Sequence, residues 1–283
     1  MGGQFAVAKR GLAAGLTAYD IVALRFAGAS VVAVLVLRRR GVRRLGGVGW
    51  GRGSVLAFIA GSPYALQLYL ALQFAPAAHG AMLVPGIGLV VATVMGSRWV
   101  GERHGTGRYV GVGIVLLGLT VLSVGGAAAP GATSFGDVLL AVVGVEWGLF
   151  TLLVGRWQLD ALAATAALSV VSLAYLPVYV LALQPRVIEV PVRHVLLQVG
   201  YQGVLQTSLA FAGYAFAVRR LGAGTAAIAS AAIPVAGTLL AIPVAGEWPS
   251  PGTWVGLVAV CGGIAVANAW GGRRHPELAG GFP

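Results

Sequence analysis

A chain of 283 residues that is 58% hydrophobic and only 10% charged, with a mean hydropathy of +0.88, cannot coat a soluble globule of 28.7 kDa. Soluble domains carry about 25% charged residues, so the chain reads as an integral membrane protein. Its formal charge of +11 comes from 19 basic and 8 acidic residues. The basic ones sit in short clusters between apolar runs, which fits membrane topology and not a nucleic-acid footprint.

A helix crosses the ~30 Å hydrocarbon core with roughly 20 apolar residues. The first segment, 1–8, is apolar but stops at Lys9 and Arg10, after only ~12 Å at about 1.5 Å per residue. A signal peptide running through 11–24 is set aside because Asp20 interrupts it and Arg25 closes it. The segment reads instead as the second half of a helix whose opening turns are missing. Complete spans follow at 18–37, 53–74, 77–97 and 108–125, then at 135–155, 161–183, 194–217, 222–245 and 251–270. The breaks carry turn or charge chemistry, such as the arginines of 38–44 and the stretch 76–80.

Sliding the chain against itself by 145 residues gives a nearly gapless repeat. Gly101-Glu102 recurs as Gly246-Glu247; Gly107, Val110 and Gly111 recur as Gly252, Val255 and Gly256; Gly118 recurs as Gly263. Tyr69 pairs with Tyr214 and Thr93 with Thr238. Met1 aligns with Glu146, midway along 135–155, which accounts for the short start. Each copy holds five spans, and an odd number inserts the second copy upside down. The expected fold is therefore an all-α membrane bundle of ten helices, the first truncated, built from two inverted five-helix repeats. Residues 1–126 form the first repeat, 135–271 the second, and 272–283 a cytoplasmic tail.

Charge tests the inversion independently. With 38–44 placed in the cytoplasm, that side collects fourteen arginines, against Lys9, Arg10, Arg186 and Arg193 outside. This is a strong positive-inside bias. Trp50, Trp99, Trp157, Trp248, Trp254 and Trp270 fall near span ends, where interfacial anchors belong.

Residues 3–9 (GQFAVAK), Leu24-Arg25-Phe26, the Pro85-bearing span ending in Gly101-Glu102-Arg103, and Trp147-Gly148 and Gly246-Glu247 resemble the EamA-type family of the drug/metabolite transporter superfamily. The resemblance covers essentially the whole chain through loose motifs. It implies movement of amino acids, drugs or other small metabolites across the bacterial inner membrane, many members being exporters.

Ionisable groups at bilayer depth cost about 2.5–3.5 kcal/mol on insertion scales and are functional candidates by default. Glu146, beside Trp147, reads either as a substrate-amine contact or coupling-proton carrier, or as a glutamate locking helices together. Arg25 reads as structural, snorkelling outward or pairing. Gln198, Gln202 and Gln206 recur every four residues with Tyr201 alongside, giving a polar face that lines a wet cavity or bonds another helix. The cavity accommodates three glutamines better. Tyr64, Gln67 and Tyr69 supply the counterpart in the repeat mate. Glu146, Trp147, Tyr64, Gln67, Tyr69, Tyr201, Gln202 and Gln206 are thus the candidate substrate-binding residues. Pro85 and Pro234 interrupt corresponding helices and are candidate gating points, though proline is also simply tolerated in membrane helices. The pairs Gly107/Gly111 and Gly252/Gly256 suit packing inside the bundle better than a homodimer, which stays open. Glu102 and Glu247 fall at opposite membrane surfaces, to cap helices or brace a gate.

The lone Cys261 gives no disulfide and no cysteine-based metal site, the histidines lack zinc spacing, and no Gly-x-x-x-x-Gly-Lys-Ser/Thr sequence binds ATP. No catalytic residue, metal or cofactor is expected. The expected function is secondary transport or export of a small-molecule solute by alternating access, with the lipid bilayer as surroundings and no nucleic-acid partner. The alternatives are a membrane-embedded enzyme acting on a lipid-linked substrate and an inactive truncated fragment.

Overall fold

The computed structural model describes residues 1–100, 104–126, 134–183, 185–210 and 232–271. Among them the secondary structure is entirely helical. Glu102, Tyr214 and the tail 272–283 lie outside the described residues. So do Arg103, Arg219, Arg220, Arg273 and Arg274, and the first part of the predicted span 222–245. Seven helical segments among the described residues are long and apolar enough to cross a membrane, two of them (Trp50–Phe74 and Ala161–Ala182) interrupted, and Ala232–Ala245 is a shorter apolar one.

Helix α1 (Gln4–Ala13) is only ten residues long, yet Phe5, Ala6, Val7 and Ala8 are all buried. Helix α2 (Ala18–Arg40) starts on a capping box: the Thr17 hydroxyl accepts the Asp20 N–H while the Asp20 carboxylate accepts the Thr17 N–H at 2.7 Å. Three arginines close the helix, where its dipole favours cations.

The predicted span 53–74 is not one helix. It is α3 (Trp50–Ala60) and α4 (Ser62–Phe74), broken at Gly61 because Pro63 in the first turn of α4 cannot continue the hydrogen-bond ladder. A Cβ at Gly61 would lie 2.2 Å from both Ser172 Oγ and Ala57 O. The Ser172 hydroxyl accepts the Ser62 N–H at 3.2 Å, satisfying a donor that the break exposes. Ser172→Ala is expected to cost about 1 kcal/mol. Thermal unfolding in detergent would read it, and an unshifted midpoint would deny the bond that role.

Helix α5 (Ala77–Met95) runs through Pro85 and continues as a π-helical turn, Gly96–Val100. The stretch 76–80, expected as a break, is instead the start of this helix, with Pro76 at the N-cap. Helix α6 is Thr106–Gly126 and α7 is Ser134–Arg156. The predicted span 161–183 is α8 (Ala161–Val171) and α9 (Tyr175–Ala182), joined by a 3-10 turn at Ser172–Ala174. Helix α10 (Val192–Gln198) widens into a π-helical stretch, Val199–Leu209. There the Thr207 and Ser208 hydroxyls donate to the carbonyls five residues back, Gln202 and Gly203. Helix α11 (Ala232–Leu240) ends in another π-helical turn, Ala241–Ala245, and α12 spans Pro251–Gly271.

Helices related by the sequence repeat pack against each other in opposite directions. In α6 and α12 the contact is backbone on backbone: a Cβ on Gly111 would lie 2.6 Å from Gly263 O, and one on Gly256 3.0 Å from Gly118 O. The early residue of each helix meets the late residue of the other, so the crossing is antiparallel and self-matching. Gly111 and Gly256, expected at a packing face, lie in this contact, and Gly118 and Gly263, seven residues further along each helix, extend it. Likewise, Arg40 at the end of α2 pairs with Asp160 before α8, while Tyr179 in α9 donates to Asp20 at the start of α2. Inverted repeats require this geometry.

One end of the bundle carries the arginines of 38–44 together with Arg98, Arg108 and Arg156, and the exposed Trp50 and Trp99. The opposite end carries Lys9, Asp137, Glu247 and the exposed Trp248. Between them Val31, Leu117, Leu181 and Val258 point outward, as lipid-facing side chains do.

Candidate functional site

The halves of the bundle enclose a cavity of about 310 Å³ lined by Pro85, Gly88 and Leu89 of α5, Trp147, Phe150, Thr151 and Val154 of α7, Ile233 of α11 and Ile264 of α12. Ala92, Arg108, Ala161 and Asn268 carry it toward the arginine-rich end. A narrower chamber shares Met1, Pro85, Trp147 and Ile233 with it and leads deeper, to Gln4, Phe5, Arg25, Tyr64 and Gln206. Both parts are lined mainly by apolar side chains, and the inner one adds the polar groups of Gln4, Arg25, Tyr64 and Gln206.

Of the residues expected at a site, Tyr64, Trp147 and Gln206 line the inner chamber, while Gln67 and Glu146 bond to each other and line neither part of the cavity. Gln67 Nε2 donates to Glu146 Oε1 at 2.8 Å, joining α4 to α7. Glu146 Oε2 is buried without a partner. The rings of Tyr64 and Trp147 lie 6.3 Å apart, and Trp147 stacks on Phe150 at 5.4 Å. Close backbone packing holds this face: a Cβ on Gly88 would lie 2.9 Å from Trp147, and one on Gly148 2.7 Å from Val91.

Tyr69 stands behind the chamber, wholly buried, and its hydroxyl accepts Arg25 Nη1 at 3.1 Å. Arg25 does not snorkel outward. It is 5% exposed, lies 5.7 Å from the Phe26 ring centroid, and lines the inner chamber. Of the two expected fates, snorkelling and pairing, snorkelling is ruled out, because Tyr69 and Phe26 hold the guanidinium inward.

The glutamine face divides. Gln198 Nε2 donates to Val7 O and Gln202 Nε2 to Gln4 O, each at 2.7 Å, so these two tie α10 and its π-helical continuation to α1. Tyr201 packs on the same helix, its hydroxyl 2.3 Å from where a Cβ on Gly3 would sit. Only Gln206, one turn on, lines the chamber. Pro85 lines both parts of the cavity, whereas Pro234 is buried beside Ile233, which lines it.

At the end away from the arginines, side chains join the two sequence halves. Lys9 Nζ donates to the last carbonyls of α4, Leu72 O at 2.6 Å and Ala75 O at 2.9 Å, and lies 3.4 Å from Glu247 Oε1. Glu247 Oε2 accepts the first N–H of α5, Ala77, at 2.6 Å. A cation thus sits on a helix C-terminus and an anion on a helix N-terminus, as both dipoles favour. His79 Nδ1 lies 2.7 Å from Asp137 Oδ1, a second tie from α5 to α7. None of Lys9, His79 and Asp137 is a site candidate from the sequence: Lys9 reads there only as an outer-side charge within the 3–9 motif, and His79 and Asp137 are isolated polar residues beside apolar runs. The carboxylate at Glu247 caps a helix of the other repeat.

The model of the EamA-like transporter family matches the chain twice, over residues 1–124 and 134–269. No curated protein matches the sequence. The chain is similar to a protein of known crystal structure that is 22% identical, with 94% of this chain and 95% of that one covered and a TM-score of 0.62, a likeness of fold. Repeated helices, a multi-pass apolar bundle and a family match over both halves converge: the chain belongs to the EamA-like transporter family of the drug/metabolite transporter superfamily, whose members are membrane transporters of small solutes and not enzymes.

Proposed function

We propose that the protein is a secondary transporter that exports small organic solutes across the bacterial inner membrane by alternating access. Two inverted units, 1–126 and 135–271, rock about the cavity, with 272–283 in the cytoplasm. The observation that carries this reading is the cavity's asymmetry: it reaches the arginine-rich end, while the Lys9–Glu247–Ala77 contacts close the other. By the positive-inside rule the arginine-rich end is cytoplasmic. The conformation is then inward-facing, ready to load a solute.

Glu146, Trp147, Tyr64, Gln67 and Gln206 contact the solute, with Tyr69 holding the wall behind them; Gln202 and Tyr201 act on it through α1. Pro85 leaves the Ala81 carbonyl without its helical N–H partner, a point at which α5 can bend. Reconstituted into vesicles, the protein is expected to exchange labelled solute. Trp147→Ala and Glu146→Gln are each expected to lower that exchange about tenfold, equivalent to ~1.4 kcal/mol. Undiminished exchange in both properly inserted variants would remove the cavity from the transport path.

A further inference from the structure

Among the described residues, Arg25 is the one strongly basic side chain lining the inner chamber, and its hydrogen-bonding capacity is only partly used. It is 95% buried by its 5% exposure, its Nε has no hydrogen-bond partner, and only Nη1 is engaged, by the neutral Tyr69 hydroxyl. Among the described residues no carboxylate forms an ion pair with it. Glu146, the acid within electrostatic reach of the same Tyr64, spends Oε1 on Gln67 and leaves Oε2 unpartnered. A guanidinium presents its donors as a planar fork matched to two oxygens of one anion. A buried charge with that fork unfilled is expensive to keep, and a protein that needed only packing here would place an apolar residue. The sequence repeat supports this: the residue corresponding to Arg25 in the second half is Val170, so the fold does not itself require the cation.

We propose that Arg25 is the anchor of an oxyanion subsite, so that the solutes carried are organic anions. A carboxylate or phosphate-monoester group binds the guanidinium between Tyr64 and Gln206, and an apolar body extends along Trp147 and Phe150. The assignment rests on the transport reading and narrows it: neutral and purely cationic solutes of the same shape fit the apolar part but leave Arg25 unpaired. Tyr69 acts through Arg25 as a positioning residue, fixing the plane of the fork.

The test uses the full chain purified in detergent, with 3-phenylpropanoate, phenyl phosphate, 3-phenylpropanamide and 3-phenylpropylammonium as probes in calorimetric titration. At least one anion is expected to bind about tenfold more tightly than the amide, and the ammonium more weakly than either. Arg25→Gln is expected to erase the anion-over-amide preference. Should that variant not fold, Arg25→Lys keeps the charge but loses the fork, and its affinity for the preferred anion is expected to fall about tenfold. Amide binding equal to anion binding, a preference surviving Arg25→Gln, or unchanged anion affinity in Arg25→Lys would each overturn the assignment. Solute exchange in vesicles separates the two claims. Exchange that prefers the amide or the ammonium ends the oxyanion subsite and leaves the transporter. Arg25-dependent anion binding with no exchange of any probe keeps the subsite and ends the transporter.

Discussion

Gly111→Ala is expected to destabilise the folded bundle by about 2–3 kcal/mol, the upper range for forcing one methyl into a packed interior. The added Cβ would lie 2.4 Å from Ala267 N and 2.6 Å from Gly263 O. Those are backbone atoms inside a helix, so no rotamer change relieves the contact. The helices must separate, and the close approach of α6 to α12 is lost along its length. Two other glycines of the same helices provide the control. A Cβ on Gly113 or Gly262 meets nothing within 4 Å. Alanine there is expected to be neutral or to stabilise by up to about 1 kcal/mol through its better helix propensity. Unfolding of the micelle-solubilised protein by added dodecyl sulfate measures all three. Equal midpoints for Gly111→Ala and Gly113→Ala would mean that the seam does not hold the halves together.

Under the alternating access proposed above, Glu247→Ala is expected to open the end of the bundle that carries Lys9. It removes the acceptor for the Ala77 N–H and the counter-ion of Lys9 together. Hydrogen bonds to charged groups contribute about 1.5–3 kcal/mol each. With Lys9 and Glu247 about a quarter exposed, a net effect of ~1–2 kcal/mol is the reasonable scale. That corresponds to a shift of roughly 5–30-fold in the ratio of closed to open forms. The readout is the labelling rate of a cysteine at Val7, in a Cys261→Ser background, by a membrane-impermeant maleimide added on the Lys9 side. Val7 is buried, so labelling reports opening. A rise of about tenfold is expected in Glu247→Ala and a smaller one in Glu247→Gln, which keeps an acceptor for Ala77. Labelling as slow as in the parent would place the closure elsewhere.

How much of this was legible beforehand follows from what each feature depends on. Span positions depend on local hydropathy, so the ends of α2, α6, α7 and α12 fell within a few residues of expectation. The duplication was carried by glycines, and those same glycines make the antiparallel seam; their partners were not legible, because contact across helices is set by crossing geometry. The break at Gly61 had a local signal in Pro63, masked by a continuous apolar run. The glutamine face divides between its two sequence readings for a physical reason: a polar stripe states that partners are needed, not whether they are water or a neighbouring helix. Gln198 and Gln202 found the carbonyls of α1, and only Gln206 reached the chamber. The sequence leaves snorkelling and pairing both open for Arg25, because the choice depends on Tyr69, forty-four positions away.

A crossing that pairs position 111 with 263 and 118 with 256 is isologous, each surface being its own complement. Such a surface needs only one gene. Two identical five-helix chains, threaded into the bilayer with opposite polarity, would meet along it as a homodimer, and fusing their coding regions would leave the contact untouched. The asymmetry between the halves lies at the chamber and beside it: Arg25, which lines it, corresponds to Val170, and Glu146, bonded to Gln67, corresponds to Met1.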